Sequence, residues 1–134
     1  MRTPSDKLAY LFLYLLLLAG CGGGSDCSAF LSVNVSPASG NADHSASPPA
    51  NAKQFLAFGA VGPGCVTTAA ALTNVTWSVS DPVNVSIDNT SLTATYGTAT
   101  CLNHTAGPVT ITATLPATKN NGKTLTGTAT LTCN

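Results

Sequence analysis

Leu125-Thr126-Gly127-Thr128-Ala129-Thr130-Leu131-Thr132-Cys133 alternates without a fault. Threonine occupies every second position, and a period of two puts the threonines on one face of an extended strand and the apolar residues on the other. A helix would need apolar residues recurring every three to four positions, and β-branched threonine itself favours the pleated sheet. The pattern repeats upstream. Val109, Ile111, Ala113 and Leu115 oppose Thr110, Thr112 and Thr114 until Pro116 stops the run. Val75, Trp77 and Val79 oppose Thr76, Ser78 and Ser80 before Asp81-Pro82, and Val83, Val85 and Ile87 oppose Asn84 and Ser86 before Asp88-Asn89. Leu92, Ala94 and Tyr96 oppose Thr93 and Thr95, with Gly97 as a bend, and Leu31, Val33 and Val35 lead to Pro37. Residues 53–61 form the seventh run, apolar on both faces, with Phe55 and Ala57 placed inward and Phe58 open.

Seven short strands separated by turn residues predict an all-β sandwich. The phase of each run puts Trp77, Val79, Ile87 and Ile111 in its core. Residues 37–52, rich in Pro, Ala, Ser and Gly, read as a long loop, and residues 69–72 as a single helical turn. Trp77 falls on the third strand, where an immunoglobulin-like sandwich holds a buried tryptophan between its sheets.

A different signal governs the start of the chain. Arg2 and Lys7 precede an apolar run over residues 8–19, followed by Gly20, Cys21 and Gly22-Gly23-Gly24-Ser25. A basic start and a short apolar segment are the layout of a secretory signal. A bilayer-spanning helix needs about 20 apolar residues, so this run is too short to be one. Leu18-Ala19-Gly20-Cys21 resembles the lipobox of bacterial lipoproteins. That resemblance implies a signal helix removed with residues 1–20, Cys21 as a lipid-bearing (palmitate-type acyl) first mature residue, and a flexible Gly-rich tether over residues 21–29. It implies a cell-envelope location, with Gly22 after Cys21 favouring the outer membrane or cell surface. Residues 30–134 are then one domain.

From residue 21 onward, Lys53, Lys119 and Lys123 face Asp26, Asp43, Asp81 and Asp88, with no arginine or glutamate. Such a chain lacks the clustered cations that nucleic acid requires. Its low charge does not signal disorder, because β-branched residues abound.

Asn74-Val75-Thr76-Trp77-Ser78-Val79-Ser80-Asp81, Val85-Ser86-Ile87-Asp88, Leu92-Thr93-Ala94 and the stretch from Gly107 to Thr114 resemble the bacterial Ig-like family, group 2 (BIG2). The family has a glycine where Ser91 stands and lacks the four extra cysteines. The resemblance implies a seven-stranded Ig-like β-sandwich with a structural or adhesive role.

With Cys21 assigned to lipid, Cys27, Cys65, Cys101 and Cys133 remain, and an even number in an exported chain implies two disulfides. If the strands run alternately, Cys27 and Cys65 share one pole and Cys101 and Cys133 the other. The expected pairs are therefore Cys27 with Cys65 and Cys101 with Cys133, since a disulfide cannot span the sandwich. Zinc is disfavoured because no C-x₂₋₄-C pair occurs.

Catalysis finds no constellation. His44 has Asp43 beside it, His104 has no acid nearby, and neither lies in a nucleophile motif. No catalytic and no metal residue is assigned, and no cofactor beyond the lipid, although Asp81, Asp88 and Asn89 offer oxygen ligands of the kind calcium takes. The expected partners are the membrane, through the lipid, and an envelope or host-surface protein or glycan. A ligand-binding surface module is the alternative reading, and an exposed aromatic such as Phe58 would mark a glycan site.

Overall fold

The computed structural model describes residues 27–66 and 70–134. The signal segment, Cys21 and the tether as far as residue 26 lie outside the described residues, as does Ala69 of the expected helical turn; residues 70–72 carry no helix. The ordered body reaches back into the expected tether, because Cys27 is bonded to Cys65 and the Ser28 hydroxyl accepts from Asn121 Nδ2 at 2.8 Å.

The described chain is nearly all-β. Its strands are β1 (Ser32–Ser36), β2 (Ser39–Ala42), β3 (Ala52–Gln54), β4 (Leu56–Ala60), β5 (Thr76–Val79), β6 (Val85–Ile87), β7 (Thr98–Cys101), β8 (Val109–Leu115) and β9 (Leu125–Cys133), with one 3₁₀ turn at Ala117–Lys119. β2, β9, β8 and β5 form one sheet in that order. The β2–β9 pairing is parallel, and the other pairings of that sheet are antiparallel. β4 pairs with β1, while β3 pairs with β7 and β7 with β6. β3 and β4 are halves of one extended run interrupted only at Phe55, whose N–H donates to Gly97 O at 2.9 Å. Residues 52–60 thus carry the order β1, β4/β3, β7, β6 across two short sheets, an arrangement that fits a β-sandwich.

The alternation with which the sequence ends is realised in burial. On β9, Gly127, Ala129, Leu131 and Cys133 are buried, and on β8 Val109, Ile111, Ala113 and Leu115 are. Phe55, Ile111, Leu115 and Leu131 are fully inaccessible, and burial of each such side chain contributes about 1.5–3 kcal/mol. Trp77 belongs to the same core, with Val79 and Ile87 packed on it while partly exposed. Phe55 and Ala57 face the core; Phe58, on the other face of β4, is half-buried.

β1 crosses close over β9. A Cβ at Gly127 would strike Val33 O and come within 2.9 Å of Val33 C, so only glycine permits the two strands to approach there. At Gly97 φ is +76°, and a Cβ would strike Phe55 O beside the Trp77 ring.

Three expectations are corrected. Residues 37–52 are not one loop, for β2 and β3 lie within or at the end of them. Ser39-Gly40-Asn41-Ala42 shows no apolar alternation because its strand character comes from backbone pairing with Thr130 to Cys133, with only Ala42 reaching the core. Residues 92–96 are turns rather than a strand, and the strand follows at β7. There Asp88 gathers the chain: it accepts from Thr90 N at 2.7 Å and from Thr95 Oγ1 at 2.6 Å. Such side-chain bonds compete with a strand ladder, and they leave Leu92 exposed with φ of +70°. Last, Val83 stands outside β6, exposed, because Asp81 closes a turn by accepting from Asn84 Nδ2 at 2.7 Å while its carbonyl accepts from Val85 N at 3.0 Å. The strand count among the described residues is therefore nine, with the expected run over residues 53–61 divided by its change of partner.

Candidate functional site

The cysteines fix two ends of the body. Cys27 and Cys65 are bonded with Cα atoms 5.6 Å apart, and Cys101 and Cys133 with Cα atoms 5.7 Å apart. The bridges span 38 and 32 residues, and each constrains the unfolded chain by about 4 kcal/mol in the chain-entropy account. Near the first bridge lies a cavity of about 440 Å³ lined by Phe30, Gly59, Val61, Leu72 and Asn74 among others. Among the described residues that lining is mainly apolar, with Thr73 and Asn74 as its polar side chains.

Around the second bridge the chain assembles a cluster that the linear sequence separates. Ala42 of β2 pairs with Cys133 of β9, and Asn134 N donates to Ala42 O at 3.0 Å. His44 follows, its N–H donating to Asn134 O at 3.1 Å and its Nδ1 also contacting that oxygen. That oxygen accepts, so Nδ1 is the donor in this contact, and in the neutral ring Nε2 is the nitrogen open to a ligand. On the other side, Thr105 is buried: its N–H donates to Cys133 O at 3.0 Å, and its hydroxyl accepts from Cys133 N at 3.1 Å. His104, next in the chain, is thereby held opposite His44, and the rings meet edge to face with centroids 6.1 Å apart at 78°. Both histidines are exposed. Sixty residues of sequence hid this pairing; only the closure of β2 and the 101–105 turn on the end of β9 creates it.

Asp43 does not serve either imidazole as an orienting acid. Its Oδ1 accepts from Ser45 Oγ at 2.7 Å and from Ser45 N at 2.9 Å. The Ser45 hydroxyl, then its N–H, hold the carboxyl below its ordinary value. A general-base dyad needs that carboxylate on the ring, so the arrangement does not assemble one.

The oxygen ligands considered for calcium are likewise engaged separately. Asp81 holds Asn84, and Asp88 holds Thr90 and Thr95, with the Thr95 hydroxyl the largest cause of its lowered pKa. Asn89 turns away from both and brackets β5, its Oδ1 accepting from Trp77 N at 2.6 Å and its Nδ2 donating to Trp77 O at 2.9 Å. Tyr96 hydroxyl donates to Val75 O, so two side chains cover the outer edge of β5 where another strand would add. Burial raises the Tyr96 phenol above its ordinary value, outweighing its bond to Val75. The Trp77 ring packs edge to face on Tyr96 at 6.3 Å; its N–H meets no acceptor with full hydrogen-bond geometry, though it still favours the ionised phenol.

Asn89 and Asn120 are the structural residues that pattern reading missed. Asn120 is 1% exposed, accepts from Phe30 N at 2.7 Å and donates to Phe30 O at 3.2 Å, so it replaces a missing strand partner. An asparagine closing the 3₁₀ turn between two strands reads as a turn residue, and nothing local announces a bond across 90 positions. No family model matches the chain, and no curated protein does.

Proposed function

We propose that the chain is a lipid-anchored, non-enzymatic Ig-like module of the bacterial cell envelope, held through Cys21, with a structural or adhesive role. The observation that carries the fold part of this reading is the strand order. β1, the 52–60 run, β7 and β6 correspond to strands A, B, E and D of an Ig-like sandwich, and β9, β8 and β5 to G, F and C. Trp77 on β5 then occupies the strand-C position. The anchor rests on the signal-like start and the Leu18-Ala19-Gly20-Cys21 junction. Two disulfides suit an oxidising compartment. The non-enzymatic part draws on the engagement of Asp43 with Ser45 rather than with a histidine.

A glycan-binding or strand-adding module is the alternative. It gains little from the aromatics, since Trp77 and Tyr96 are buried and Phe58 is half-buried, or from β5, whose edge Asn89 and Tyr96 cover. The test is cell fractionation of the native chain beside Cys21→Ala. The native chain is expected in the membrane fraction, released by detergent and not by salt, and the variant in the soluble fraction. A variant that still partitions with membranes would sink the anchor.

A further inference from the structure

We propose that His44 and His104 form a two-imidazole site for a divalent transition-metal ion, of which copper(II) is the best fit. Nitrogen ligands bind such an ion at about 2.0–2.1 Å, which sets the centres of two rings on one ion from about 4.5 Å apart in cis to about 6.4 Å apart in trans. The two rings here are already 6.1 Å apart. The Nδ1–H of His44 is held by Asn134 O, the arrangement in which a ligating histidine donates its other ring nitrogen to a carbonyl and presents Nε2 to the metal.

The segments carrying the rings are fixed by other means. Residues 42–44 are held to Cys133 and Asn134 by backbone bonds, and Thr105 fastens the His104 turn to Cys133 in both directions. The Cys101–Cys133 bridge anchors the two ends of that turn's frame. The site is thus prearranged without metal and has no need of metal for folding. Asp43, bonded to Ser45, leaves the pair as its protein ligands, and among the described residues no group of three or more His, Cys, Asp or Glu converges. The remaining coordination positions go to water or small anions. Imidazole suits copper(II) and zinc alike, and the Irving–Williams order places copper(II) above zinc.

The experiment titrates copper(II) into the purified full chain in detergent, followed by electron paramagnetic resonance and calorimetry. One equivalent is expected to bind with hyperfine coupling to two imidazole nitrogens. His44→Ala and His104→Ala should each reduce the coupling to one nitrogen and weaken binding about tenfold or more. Both side chains are exposed, so circular dichroism should show the fold intact in either variant. An unchanged spectrum in the double variant, coupling that depends on only one of the two histidines, or no imidazole coupling in the native chain overturns the proposal.

Discussion

Asn120 shows how much a single polar side chain does in a small sandwich. It is buried, and its amide satisfies both backbone groups of Phe30, which no strand reaches. Removing it leaves those groups unpaired, at a cost of about 1–3 kcal/mol for a buried donor or acceptor. Urea unfolding of Asn120→Ala should show that loss, while Asn34→Ala, on the exposed face of β1, stays within about 0.5 kcal/mol of the native chain; equal behaviour of the two would contradict the bracket assigned to Asn120. Leu131 and Leu92 make a second contrast. Leu131 is fully buried and Leu92 is 89% exposed. Leu131→Ala is expected to cost about 2–5 kcal/mol and Leu92→Ala almost nothing. From periodicity the two leucines look equivalent, because each lies on the apolar phase of an alternating run. The difference lies in Asp88, whose hydrogen bonds bend the chain around Leu92, and no hydropathy pattern encodes a carboxylate that collects hydroxyls from positions five and seven residues ahead.

Strands long enough to alternate several times were legible, and short ones were not. β8 and β9 repeat their phase over seven and nine residues, so their inner faces follow from the sequence. β2 has four residues and β7 has only Ala99 and Cys101 facing inward, small side chains that stand out from no background. The turn at residues 88–97 makes a prediction of its own. Because bonds from Thr95 and Thr90 lower the Asp88 pKa below its ordinary 3.8, the stabilisation they bring is fully present above that value. It is lost as pH falls through the lower native value. Protection of the amides in this turn, measured against the intrinsic exchange rate at each pH, should therefore fall between about pH 5 and pH 2, and Asp88→Asn should flatten that response. A turn that loosens identically in native and variant chains would show that Asp88 does not hold it.

At the scale of the molecule, the two disulfides close opposite ends of one body whose two short sheets share the 52–60 run. Pole-by-pole reasoning from alternating strands reaches the same cysteine partners although one strand of that scheme was misplaced, because Cys101 lies at the far end of its strand in either placement. The histidine pair was beyond such reasoning. His44 and His104 are joined by a parallel pairing and a turn that pattern alone did not show. On the proposed anchoring through Cys21, the Cys27–Cys65 pole is the one nearer the membrane and the histidine pole the one away from it. The most direct measurement is the mass of the N-terminal peptide of the protein purified from bacterial membranes. A peptide that begins at Cys21 and carries acyl chains is predicted; one that begins upstream, or begins at an unmodified Cys21, would contradict the account.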